Sequence, residues 1–69
     1  MIEYLVVVML TFMDGSYVEY NDGKWETAVG EKECRDKIKI ATTELKEFYK
    51  DQKDPKPSTF IQGCVSKGQ

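Results

Sequence analysis

Ile2-Glu3-Tyr4-Leu5-Val6-Val7-Val8-Met9-Leu10-Thr11-Phe12, followed at once by Met13-Asp14-Gly15-Ser16, is the stretch that decides the fold. The first run is rich in β-branched, aromatic and long aliphatic residues and has neither a helix breaker nor a helical polar stripe, which reads as a long strand over residues 2–12. The second contains Asp-Gly between two β-prone runs, the strongest short-range signal for a hairpin, because glycine supplies positive φ at little cost. Tyr17-Val18-Glu19-Tyr20 then returns as a second strand, and Asn21-Asp22-Gly23 marks a further turn or a bulge.

The first strand is apolar on both sides. Ile2, Tyr4, Val6, Val8, Leu10 and Phe12 share one face; Leu5, Val7, Met9 and Met13 share the other, relieved only by Glu3 and Thr11. An antiparallel sheet with one solvated face normally alternates to polar residues on that side. Working outward, the next strong pattern is helical. Cys34, Ile38, Ala41, Leu45, Phe48 and Tyr49 recur at the spacing of one apolar stripe, with Glu33, Asp36, Lys37, Lys39, Glu44, Glu47 and Lys50 away from it. A helix is predicted over 31–51, entered through Thr27 or Gly30 as N-cap, with Glu31 and Glu33 at the positive end of its dipole. Asp54-Pro55-Lys56-Pro57 ends any helix. Residues 58–66 read as a third strand and the last three as a frayed tail.

One helix and these strands predict an α+β domain over 1–69, of order ββαβ: a three-stranded antiparallel sheet, strand 1 central, with the helix on one face. The expected core is Tyr4, Val6, Val8, Leu10, Trp25, Ile38, Ala41, Leu45, Phe48, Phe60 and Cys64, with Trp25 plugging one end. A single helix shields one face of such a sheet. Leu5, Val7 and Met9 are therefore expected to form an interface, joined by Tyr17, Tyr20 and Ile40; Ile40 lies about 200° from Ile38 on the helical wheel.

Cys34 and Cys64 are the only cysteines. From Cys34 the helix runs about 24 Å to Lys50, and the strand from Ser58 back to Cys64 covers roughly 20 Å. An antiparallel return thus brings the two sulfurs together, and a disulfide is expected. The alternative reading is a pair of buried thiols acting as small hydrophobes. A chain of 69 residues has a marginal core and gains from such a cross-link.

Composition narrows the chemistry. There is no histidine, so the commonest general base near neutral pH is absent and no Ser/His/Asp or Cys/His arrangement can form. Two cysteines without histidine do not make a four-ligand zinc site, and the scattered glycines have no phosphate-cradling spacing. The reading is no enzyme, no cofactor and no metal.

Residues 1–31 carry one base against six acids, and residues 32–69 nine bases against six acids. Lys32, Arg35, Lys39, Lys46, Lys50, Lys53 and Lys56 lie on or beyond the helix, but acids are interleaved at i±3 and i±4, as on a salt-bridged solvated face. With a pI near 5.0, this argues against a nucleic-acid partner. The N-terminal apolar run carries an acid, no base and no small-residue cleavage site, and is too short to cross a bilayer. No membrane association and a cytoplasmic location are expected, although a stable disulfide would suit an oxidising compartment.

The function expected is binding to another protein, or to a second copy of the chain. In size, acidity and lack of a catalytic set, the chain resembles in type the small proteins that phages encode to block or redirect host enzymes. A homodimeric accessory subunit is the other reading.

Overall fold

The computed structural model of the protein describes residues 2–67. Its elements are β1 (Glu3–Phe12), β2 (Tyr17–Glu19), β3 (Glu26–Val29), α1 (Glu31–Tyr49) and β4 (Pro57–Lys67). The fold is α+β, with α1 packed on one face of an antiparallel sheet. β1 is central. β4 pairs with it from Glu3 to Phe12 and takes one whole edge. β2 pairs with Met9–Thr11 and β3 with Glu3–Val6, so these two short strands share the other edge. The sheet is three strands wide but built from four segments. β3 was not foreseen, since residues 26–29 read as the run-in to the helix. The expected tail is also shorter: Lys67 closes β4, and residues 68 and 69 lie outside the described part of the chain.

The hairpin forms where Asp-Gly placed it. Gly15 sits at φ 92°. Asp14 Oδ1 accepts hydrogen bonds from the Ser16 backbone N–H (2.9 Å) and hydroxyl (2.6 Å), an Asx turn that locks the loop. These bonds hold the Asp14 carboxyl below the usual aspartate range, the Ser16 hydroxyl contributing most. β2 is cut short by a tight turn over Tyr20–Gly23, where Asn21 and Asp22 both adopt left-handed backbone. Asparagine and aspartate tolerate that region better than other residues with a Cβ. The turn inserts residues between β2 and β3, so the chain rejoins β1 in a new register.

Gly30 is the N-cap of α1, at φ 89° and ψ 158°; Thr27 is part of β3. The Gly30 N–H donates to the Ile2 carbonyl (3.0 Å), and Glu33 Oε1 accepts from the Val29 N–H (2.7 Å). The helix start is thereby fixed to the first strand, with the Glu33 carboxylate beside the positive end of the dipole.

The core is Val6, Val8, Leu10 and Phe12 of β1, Ala28 of β3, and Cys34, Ala41 and Leu45 of α1. Tyr4, Val18, Tyr20, Ile38, Tyr49, Phe60 and Cys64 pack around it. Two expected core residues lie elsewhere. Phe48 is 79 % exposed; its neighbour Tyr49 instead packs on Phe12, ring centroids 5.3 Å apart and edge-on. Trp25 is half-buried and outside the core. It lies in the link between the tight turn and β3.

Cys34 and Cys64 form a disulfide with Cα atoms 6.2 Å apart, within the span such bonds require. Cys64 lies opposite Val6 on the helix side of β4, where the matched lengths of helix and strand place it.

The open face of the sheet as candidate site

Strand alternation sends even-numbered residues of β1 toward α1 and odd-numbered ones to the other face. The register fills in that second face. Along β4, Val65 stands opposite Leu5, Gly63 opposite Val7 and Ile61 opposite Met9. Along the other edge, Thr27 stands opposite Leu5, Val29 opposite Glu3, Glu19 opposite Met9 and Tyr17 opposite Thr11. No helix lies over this surface, because the chain has one and it packs on the even side among the described residues.

Leu5, Val7 and Met9 are half-buried. Ile61 (46 %), Val65 (49 %) and Tyr17 (61 %) are exposed. The result is an apolar stripe, Leu5-Val7-Met9 flanked by Val65 and Ile61. Gly63 leaves a shallow notch beside Val7, with nothing within 4 Å of where a Cβ would stand. Polar residues frame the stripe. Glu3 and Lys67 approach within 4.0 Å at one end; at the other, the Thr11 hydroxyl donates to the Thr59 carbonyl (3.0 Å) and accepts from the Thr59 N–H (3.3 Å). Those bonds stitch a bulge between Leu10 and Phe12, where β4 carries one residue more than β1. From Glu3 to Thr11 and across three strands, the whole face, polar frame included, covers roughly 400 Å². A contiguous apolar stripe within a polar rim is a common mark of an interaction surface.

Of the six residues read as an interface, the structure gathers Leu5, Val7, Met9 and Tyr17 on this face. Tyr20 and Ile40 lie on the other side, in a groove between α1 and the β2–β3 edge that Val6, Glu26, Lys37, Ala41 and Glu44 also line. Tyr20 falls in the tight turn after β2, and its hydroxyl donates to Glu44 Oε1 (2.6 Å). That bond, with partial burial and the charges of Glu44 and Glu26, raises the Tyr20 pKa above the usual phenol range. Lys37 Nζ donates to the Thr27 carbonyl (2.8 Å) and sits 3.5 Å from Glu26 and 3.8 Å from Glu33. The groove's polar groups thus bond to one another. Ile61, Val65 and Val29 were missed as members of the open face; Ile61 and Val65 alternate with Phe60 and Cys64, a signal present in the sequence once Cys64 is assigned to the helix side.

On the outer side of α1, Lys32 pairs with Asp36, Arg35 with Glu31 and Lys50 with Glu47. Among the described residues no cluster of three or more cysteines or acids could hold a metal ion, and no helix is long and apolar enough to cross a membrane. Comparison with protein families, with curated proteins and with solved structures finds no match.

Proposed function

We propose that the protein is a non-enzymatic binding module that holds another protein against the open face of its sheet, acting by occupying a surface as a small inhibitor or modulator of an enzyme does. The observation that carries this reading is the apolar stripe Leu5-Val7-Met9 with Ile61 and Val65, on the side of the sheet opposite the helix. Burying exposed aliphatic side chains stabilises a complex by about 25 cal/mol per Å² of apolar surface removed from water. The polar frame of Glu3, Lys67, Glu19 and Thr11 has the form of an interface rim around an apolar centre. The absence of histidine from the sequence supports a binding role over catalysis.

Site-specific photo-cross-linking in cells that make the protein tests the proposal. A cross-linker at Ile61 or Val65 is expected to give a discrete adduct with a different protein, lost when Met9→Lys is added. The same group at Ile40 gives no such adduct. Equal cross-linking to a different protein from both positions, or adducts with a different protein that are indifferent to Met9→Lys, would overturn it; adducts between two copies of the chain do not count.

A further inference from the structure

The two edges of the sheet differ sharply. One is blunted: β2 has three residues, β3 four, and the turn over Tyr20–Gly23 interrupts them. The other is β4, eleven residues long and without a charge from Pro57 to Ser66. Natural sheets protect a free edge with charges, internal prolines, bulges or short strands. Here the only proline is the first residue of the strand, the bulge lies near that same end, and Lys67 is the last residue.

The hydrogen bonding states which groups that edge presents. The Phe12 N–H donates to the Ser16 carbonyl and the Phe12 carbonyl accepts from Gly15, so the Phe12 backbone faces β2; the Met13 N–H donates to the Lys56 carbonyl, on the β4 side. Backbone groups alternate along a strand. Odd residues of β1 therefore bond to β4, and their partners Ile61, Gly63 and Val65 turn N–H and C=O inward. Phe60, Gln62, Cys64 and Ser66 turn theirs outward, where no hydrogen bond from the rest of the described chain reaches them.

The geometry points to a homodimer in which two copies of β4 pair edge to edge, antiparallel, about a two-fold axis through Gly63. That register uses every outward-facing residue from Phe60 to Ser66: Phe60 bonds to Ser66 of the partner subunit, and Gln62 to the partner's Cys64, giving about eight hydrogen bonds across the axis. It sets Ile61 opposite the partner's Val65 on the open face, and it places Lys67 opposite the partner's Thr59, so no like charges meet. Because the axis is normal to the sheet, both helices fall on one face and both apolar stripes on the other, joined without a break. The blunted second edge stops growth at two copies, so the assembly closes. This inference rests on the backbone of β4 and does not depend on what occupies the open face.

Gln62→Pro is the informative variant. It removes an outward N–H and leaves the bonds to β1 intact, since proline is tolerated on an edge strand. Sedimentation velocity at high micromolar concentration is expected to show the wild type at twice the 8.0 kDa chain mass. Gln62→Pro should weaken the dimer at least about tenfold with an unchanged circular dichroism spectrum. Met9→Lys, which alters the face and not the edge, should leave the dimer intact and lose only the cross-link described above. Amide exchange of the wild type needs no variant: Gln62 and Cys64 should be as protected as Ile61 and Gly63. A wild type that stays monomeric, a dimer that survives Gln62→Pro, or fast exchange at 62 and 64 beside slow exchange at 61 and 63 would each overturn the edge pairing.

Discussion

Replacing Cys34 and Cys64 together by alanine removes the one covalent cross-link and leaves no unpaired thiol. The bond joins residues 30 apart. For a loop of that length, chain entropy gives a stabilisation of roughly 3–4 kcal/mol at 25 °C, exerted mainly on the unfolded chain. A chain of this size has a total stability of about 3–10 kcal/mol, so the loss is a third of it at the least. Each kcal/mol moves the melting midpoint of such a domain by about 4–8 °C, and the double variant should melt roughly 12–30 °C lower. Packing contributes less, because Cys34, although fully buried, is small and alanine retains its Cβ. Urea denaturation followed by circular dichroism separates the two sources: a less restricted unfolded chain exposes more surface and steepens the denaturant dependence. Thiol titration of the unreduced, denatured wild type should find no free thiol. Two free thiols per chain, or a double variant with an unchanged urea midpoint, would refute this account of how so small a core persists.

Other expectations follow from single residues. Leu10→Ala, at 1 % exposure in the centre of β1, should destabilise by about 2–5 kcal/mol, whereas Phe48→Ala should change stability by no more than about 0.5 kcal/mol; comparable losses at both sites in urea melts would contradict the core described above. Gly30→Ala meets open space around its Cβ, so its cost is purely one of backbone conformation, about 1–3 kcal/mol, and a thermal melt equal to wild type would show that the helix start does not need positive φ. The Asp14 carboxyl titrates below its usual range because Ser16 bonds to its charged form. Its contribution to stability is therefore complete above the usual aspartate range and is lost as pH falls through the lowered folded-state value. In an NMR titration, Ser16→Ala should raise the Asp14 midpoint toward the ordinary value; an unmoved midpoint would remove Ser16 as the cause.

The helix, the first hairpin, the central strand and the cysteine pairing were legible because each rests on a local signal: the stripe from Cys34 to Leu45, Asp14-Gly15, the apolar run from Leu5 to Leu10, and element lengths that match. β3 was not. Its four residues pair with Glu3–Val6, a contact set by long-range register, and Glu26 and Thr27 look like the approach to a helix. Missing β3 also hid Ala28 from the core, and the bulk of the Trp25 indole suggested a core plug although the residue lies before β3 and outside the core. Phe48 satisfied the helical stripe, yet Tyr49 is the residue that packs on Phe12, and Phe48 lies against Tyr49 from outside the core. Tyr20 was read as strand and lies in a turn, because the left-handed pair Asn21-Asp22 ends β2 one residue earlier. The open face was legible from Leu5, Val7 and Met9 alone; its β4 half needed the pairing of Met9 with Ile61 and of Leu5 with Val65.

The central claim is that this sheet turns toward water an apolar surface that the described residues of its own chain leave uncovered. Methyl relaxation in the presence of a soluble paramagnetic agent reads that surface directly, on Gln62→Pro at low concentration so that single subunits are observed. Strong enhancement is expected at the methyls of Leu5, Val7, Met9, Ile61 and Val65, with little at Val6, Val8 and Leu10. Equal protection of the two sets in the isolated subunit would contradict the claim.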